Sequence, residues 1–253
     1  MVPNPLKQKL RNGDLVLGTA LAAPSARVTV ASCQTGIDFL WMDTEHSPYG
    51  TEALDVLPVL ARQNGVAPMI RVAWNDPALI KKAVDVGAVA IMVPQVNTAE
   101  EAAKAVEHTF YPPLGNRGVS PNWPHLAGVN WFEAIQQAND ETVLIVQMES
   151  QEAYDNLDEI IKVPGIDVLF VGPMDLSASL GVITQMQDPA VQEIMQEVPK
   201  RLAETGIPVG TTLTNIDEIQ QKIEWGYRFM NVGSPLGYGV QALSQHVQTL
   251  RQS

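Results

Sequence analysis

The chain has 253 residues, 45% hydrophobic and 17% charged, a composition that excludes a disordered or collagen-like protein. Its 28 acidic and 16 basic residues give a net charge of −12, without the basic stripe that marks nucleic-acid binding. The single cysteine, Cys33, excludes an internal disulfide framework and a cysteine-only zinc cage, and no apolar run approaches the ~18 residues of a membrane span. The opening stretch Met1–Asp14 has no apolar h-region, so no signal peptide is expected and a cytoplasmic location is predicted.

Eight short apolar, β-rich runs follow in chain order: Leu15–Leu21, Asp38–Met42, Ala67–Val72, Ala88–Val93, Val143–Met148, Asp167–Val171, Pro208–Thr212 and Arg228–Val232. Helix-period segments separate them, which implies parallel strands joined by helices. Pro77–Val86 starts with a proline at its first turn, where no hydrogen bond is lost. Thr98–His108 has Asn97 and Thr98 available as N-caps, with Glu100 and Glu101 in the first turn. Between the fourth and fifth strands the stretch Tyr111–Asn130 is rich in Pro, Gly and Asn, and loops of that length are often functional. Leu236–Arg251 reads as a closing helix. Neither G-x-G-x-x-G nor G-x-x-x-x-G-K-[ST] occurs, so nucleotide loops have no support. The eight β/α units and a length near ~250 residues predict a single-domain (β/α)₈ TIM barrel over residues 1–253.

In such a barrel the chemistry lies just past the C-terminal strand ends. The second strand runs into Asp43-Thr44-Glu45-His46, the third ends at Arg71, and the fourth at Pro94-Gln95. The fifth ends in Gln147-Met148-Glu149 and the sixth in Gly172-Pro173-Met174-Asp175. His46 to Arg71 is 25 residues, Arg71 to Gln95 is 24 and Glu149 to Asp175 is 26, each near one βα unit of about 30. Polar groups thus recur at one height while the strand interiors stay apolar.

Glu149 and Asp175, on neighbouring strands, would converge. Two anions in a half-buried pocket require either a shared proton or a cation between them, and oxygen donors suit Mg²⁺ or Mn²⁺. A glycosidase-like acid/base pair is the rival, and Asp175 is also placed to cap a following helix. Arg71 has a fork for a substrate carboxylate, or for an ion pair with Asp43 or Glu45. His46 is a candidate general base. His108 and His246 lie on helices, and His125 in the long loop is open to substrate or a neighbouring subunit. Asp85 reads by itself as a helix-surface carboxylate. Gly233-Ser234-Pro235-Leu236-Gly237 reads as a turn, since no basic residue adjoins it to complete a phosphate cradle.

The segments Asp38–His46, Tyr111–Val119, Val146–Glu149 and Asp167–Ser177 resemble the metal-dependent class II pyruvate aldolases of the 4-hydroxy-2-oxoheptanedioate and 2-keto-3-deoxy sugar acid type. The resemblance spans about Gly18 to Gly233. It implies reversible cleavage of a 4-hydroxy-2-oxo acid to pyruvate and an aldehyde through a metal-stabilised pyruvate enolate. It implies Glu149 and Asp175 as ligands of Mg²⁺ or Mn²⁺, with Co²⁺ a further candidate. Backbone N–H groups of Met174 and Asp175 would bind the pyruvate carboxylate, and Gln147 would orient it. Arg71 would face the keto oxygen, and His46, polarised by Asp85, would move the proton. The resemblance also implies a homohexamer with exchanged C-terminal helices. No strand-end lysine offers a Schiff base, since Lys81 and Lys82 fall in a helix. The loop segment Ser120-Pro121-Asn122-Trp123-Pro124-His125 departs from the small residues and arginine of relatives, which opens the choice of aldehyde. An oxaloacetate decarboxylase or C–C bond-forming synthase on the same site is the alternative.

Overall fold

The computed structural model describes residues 5–252; of the leader expectation on Met1–Asp14, residues 1–4 lie outside these. Eight strands close a parallel barrel in sequential order: β1 (Val16–Ala20), β2 (Phe39–Asp43), β3 (Ala67–Arg71), β4 (Ala90–Val93), β5 (Val143–Met148), β6 (Val168–Val171), β7 (Val209–Thr212) and β8 (Tyr227–Asn231). β8 pairs with β1 to complete the ring, with Val16 opposite Phe229 and Gly18 opposite Asn231. Every run expected to be a strand is one, with ends that differ by up to two residues. The predicted (β/α)₈ architecture is therefore the observed one.

Side chains alternate across a strand, so every second residue enters the barrel. Phe39 and Trp41, Ala67 and Met69, Ala90 and Met92, Val143 and Ile145, and Val168 and Phe170 form one inner cluster with Phe229. Phe39 stacks on Phe229 at 4.2 Å, and Phe170 meets Trp41 edge-on at 5.6 Å. Gly18 makes room for this stack, since a Cβ there would lie 2.4 Å from the Phe39 ring. The opposite strand faces, including Leu40, Ile70, Ile91 and Leu169, pack outward against the helices in a second cluster.

Helix ends follow local chemistry. Asp76 caps Pro77–Asp85 by accepting from the Ala78 and Leu79 N–H groups, and Thr98 caps Ala99–Thr109 by accepting from Glu101 N–H. The helix Pro5–Asn12 is an element that residue spacing does not announce. Its Leu6 and Leu10, one turn apart, close the N-terminal end of the barrel among the inner residues. Two further helices without a clear sequence signal are Trp123–Ala127, inside the long loop, and Trp131–Glu141 after it. The last helix, Pro235–Gln252, buries no residue, and Leu236, Val240, Leu243, Val247 and Leu250 are exposed at alternating spacings of four and three. No helix among the described residues is long and apolar enough to cross a membrane.

Candidate active site

The inward alternation that fills the barrel with apolar groups turns polar at its C-terminal end. Two residues beyond Trp41 stands Asp43, two beyond Met69 stands Arg71, two beyond Ile145 stands Gln147, and two beyond Phe229 stands Asn231. These side chains, with His46, Gly172, Pro173, Met174, Asp175 and Thr212, line a cavity of about 530 Å³. Trp41 lies among these polar groups, and Ala20, Pro173, Met174 and Met186 add apolar wall.

Arg71 is the best-fixed charge there. Its Nε and Nη2 donate to the two oxygens of Asp43 at 2.8 and 2.6 Å, and its Nη1 lies 2.8 Å from Glu45 Oε2. Its guanidinium sits 4.8 Å from the centre of the Trp41 ring. Burial disfavours the cation, but Asp43, Glu45 and Glu149 outweigh it and hold its pKa above the ordinary value. Burial likewise opposes the Asp43 charge, yet the Arg71 bonds bring its pKa below the usual range. Glu45 goes the other way, pushed up by burial despite Arg71. The ion-pair alternative for Arg71 thus holds with both carboxylates at once, and the paired guanidinium still lines the cavity. Thr44 locks the loop by donating its N–H and hydroxyl to the Arg71 carbonyl at 3.0 and 2.6 Å.

Behind the cavity lining, Glu149 is 4% exposed and has both oxygens engaged. Oε1 accepts from the Gln95 backbone N–H at 2.8 Å, and Oε2 accepts from Gln147 Nε2 at 2.8 Å. Gln95 reaches this position only with a φ of 51°, in the left-handed region that side chains other than Gly and Asn avoid. A Cβ on Gly172 would stand 2.6 Å from Glu149 Oε2, so glycine leaves the cradle for that oxygen. Burial, then the charges of Asp175 and Glu45, push the Glu149 carboxyl up to about 7 against the Gln95 N–H and Arg71. Asp175 lies in the first turn of the helix Pro173–Ser179, whose N-cap is Gly172. The N-cap position is thus not Asp175's, and its charge pushes up the carboxyls of both Glu149 and Glu45.

This donor set fits a hard divalent cation. Each Glu149 oxygen keeps a lone pair, Asp175 lines the adjoining cavity, and the buried Gln147 Oε1 has no hydrogen-bond partner. Among the described residues no three His, Cys, Asp or Glu side chains gather as a cage. Two carboxylates would leave the remaining positions to substrate and water.

His46 stands at the cavity rim, with its side chain 62% exposed and Nε2 3.6 Å from Glu45 Oε2. Asp85 is elsewhere. The helix Pro77–Asp85 carries the chain back from the end of β3 to the start of β4, so Asp85 lies toward the opposite end of the barrel. Its ion pair there is with Arg117 at 3.8 Å, while burial pushes its carboxyl up. The Arg117 guanidinium lies 3.7 Å from the centre of the Tyr111 ring, and none of its three nitrogens has a hydrogen-bond partner. One chain therefore does not bring His46 and Asp85 together.

The segment 111–130 belongs to the same far end, held by Asn122 N–H donating to the Asp85 carbonyl. His125, on the helix Trp123–Ala127 of this segment, lies at that end, away from its own chain's cavity. His108 packs against Asn75, its Nδ1 3.2 Å from Asn75 Oδ1. Gly233 is a turn residue whose carbonyl accepts from Ala20 N–H and the Thr19 hydroxyl. Gln95 is a strand-end residue the spacing already placed at this height, whereas Thr212 and Asn231 are site residues it did not single out. Asn231 had a readable signal: a polar letter closing an apolar strand, at the height of Arg71.

A closed parallel barrel with carboxylates, an arginine and a histidine gathered at the C-terminal strand ends defines a TIM-barrel enzyme whose site is rich in oxygen donors. The chain belongs to the HpcH/HpaI aldolase/citrate lyase family, whose model matches residues 20–242. It is a carbon–carbon lyase. It is 36% identical over 248 residues to a 2-keto-3-deoxy-L-rhamnonate aldolase of Escherichia coli (strain K12), covering 98% of this chain and 93% of the relative. A solved family member from Burkholderia cenocepacia J2315 superposes with a TM-score of 0.91 at 32% identity, over 98% of this chain and 100% of that one. The citrate synthase SbnG gives a TM-score of 0.87 at 28% identity, over 99% and 98% of the two chains.

Proposed function

We propose that this protein is a divalent-metal-dependent aldolase that reversibly cleaves a 4-hydroxy-2-oxo acid to pyruvate and an aldehyde. The observation that carries the reading is the buried Glu149 carboxylate, held by Gln95 N–H and Gln147 Nε2 beside the cavity that Asp175 and the clamped Arg71 line. Glu149 and Asp175 would hold Mg²⁺, Mn²⁺ or Co²⁺, which when bound supplies Lewis-acid polarisation of the keto oxygen. Backbone N–H groups of Met174 and Asp175 hold the carboxylate, and Gln147 orients the oxo acid.

His46 takes the proton from the 4-hydroxyl as the C3–C4 bond breaks. The aldehyde leaves, and the bonding pair passes to C3 as negative charge grows on the keto oxygen. Arg71, held in place before substrate arrives by Asp43 and Glu45, faces that charge and needs no reorganisation to do so. Return of a proton to C3 completes pyruvate. Asp85 polarises His46 from a second copy of the chain, in a cytoplasmic hexamer whose exchanged helices Pro235–Gln252 cover their apolar stripe.

Likeness to the citrate synthase SbnG favours a second reading, an enolate-forming synthase or oxaloacetate decarboxylase on the same residues. Pyruvate release from 4-hydroxy-2-oxo acids, measured with chelator and after adding back Mg²⁺ or Mn²⁺, separates these. Loss and recovery of cleavage are expected. Cleavage indifferent to chelation overturns the metal assignment, and oxaloacetate turnover without aldol cleavage favours the second reading.

A further inference from the structure

The left-handed turn at Gln95 needs a cause, and that cause lies outside the cavity. Gln95 is exposed and its side chain makes no hydrogen bond among the described residues, so its own packing does not impose the φ of 51°. A side chain other than Gly or Asn persists in that region only where its surroundings over-determine it. Here the backbone is held on both sides. The Gln95 N–H donates to Glu149 Oε1 at 2.8 Å, its carbonyl accepts from Asn97 Nδ2 at 3.2 Å, and the next N–H, of Val96, donates to the Gln147 carbonyl at 3.2 Å.

Every polar group of Asn97 is engaged. Its Oδ1 accepts from the hydroxyl of Ser150, the residue after Glu149. Its N–H donates to Glu101 Oε2 at 2.7 Å, and its carbonyl accepts from Asn156 Nδ2 at 3.0 Å. Thr98, not Asn97, caps the helix Ala99–Thr109, which leaves the Asn97 amide to bridge two strand ends. The neighbour of Ser150, Gln151, donates its N–H at 2.9 Å to Ser179 Oγ, on the helix that carries Asp175. One amide thus ties the segment of Gln95 to that of Glu149, which is tied in turn to the helix of Asp175.

We propose that Asn97 is a positioning residue: it fixes the turn at Gln95, keeps the Gln95 N–H on Glu149, and so aims the free lone pairs of that carboxylate at a divalent cation. The proposal rests on the metal-dependent reading and deepens it. Outer partners of a ligating carboxylate set its orientation. Without the Asn97 amide, Gln95 relaxes toward the ordinary backbone regions, its N–H turns away, and Glu149 is free to rotate.

Asn97→Ala is expected to weaken Mn²⁺ binding, read by titration calorimetry without substrate, by about ten- to a hundredfold. Glycine enters the left-handed region without steric cost, so in a Gln95→Gly background the same substitution should weaken binding by less than about threefold. That difference separates an effect through the Gln95 angle from a general loss of structure. An equal loss in both backgrounds overturns the proposal, as does Mn²⁺ binding unchanged by Asn97→Ala.

Amide hydrogen exchange in chelated protein supplies a second readout that needs no metal. Asn97→Ala should speed exchange of the Gln95 N–H by about tenfold. Exchange of Leu144, whose N–H bonds the Asp167 carboxylate at the other end of β5, should stay as it is. Asn156→Ala, which loosens Asn97 through its carbonyl, should act in the same direction more weakly and carries the test if Asn97→Ala does not fold. A parent that binds no Mn²⁺, while Gln95 exchange still depends on Asn97, refutes the metal reading and upholds the hold on the turn. Gln95 exchange indifferent to both substitutions refutes that hold.

Discussion

Arg71 and Arg117 are both buried, both lie over an aromatic ring, and stand toward opposite ends of the barrel. Arg71 makes two hydrogen bonds to Asp43 and an ion pair with Glu45; Arg117 has Asp85 at 3.8 Å and no hydrogen bond. Their pKa directions follow: burial loses to the carboxylates at Arg71 and wins at Arg117, where the value is lowered. Burial alone therefore does not make an arginine functional. A guanidinium whose partners are fixed beforehand can meet a developing charge without first being paid for by rearrangement. A guanidinium left short of partners marks a place where the chain by itself is incomplete or overcharged.

The sharpest way to break the contrast is to keep the Arg71 charge and remove its fork. Arg71→Lys should lower the kcat for pyruvate release by about 10³-fold, since a lysine cannot bond both Asp43 oxygens and still face the cavity. Steady-state kinetics at saturating metal reads this, and a loss under tenfold would deny Arg71 its role.

Next in size is the pH response of Glu149, whose folded value of about 7 lies above its ordinary 4.5. Below pH 4.5 the carboxyl is protonated in both folded and unfolded chains and costs nothing. Between pH 4.5 and 7 the unfolded chain releases this proton while the folded chain retains it, so stability falls as pH rises and levels off above 7. The expected loss is about 3 kcal/mol in chelated protein. Denaturant unfolding of the parent and Glu149→Gln across this range should show the slope in the parent and a flatter profile in the variant.

The smallest effect belongs to the far end. Arg117→Met replaces a desolvated, under-bonded charge with a side chain that still covers Tyr111, and should raise stability by about 1 kcal/mol. Thermal unfolding checks this. A large drop instead would mean that a second copy supplies the acceptors this chain lacks, which would sharpen the comparison by making both arginines paired in the assembly.

The barrel was legible because its strands are short β-rich runs and its polar residues recur at one strand height. Asp43, Arg71, Gln147 and Glu149 follow from period-two alternation once the strand ends are placed. Three things were not legible. Leu6 and Leu10 close the barrel floor, yet two leucines in an eight-residue helix carry little pattern by themselves. Asp85 is a helix-end carboxylate whose direction depends on where the helix returns the chain, which residue letters do not record. Asn231 was visible as a letter, but only the β7–β8 register shows it standing opposite Thr212 at the cavity.

Gln95 carries one more consequence. Its bond to Glu149 comes from the backbone, made possible by a φ of 51°. The requirement at position 95 is thus for an angle, not for an amide side chain. Glycine or asparagine could stand there and leave the Glu149 bond intact, whereas a β-branched residue would resist the left-handed turn and proline would have no N–H to give. Part of this acidic centre is inherited as chain geometry, so two proteins could share it while differing in the letter that supplies it.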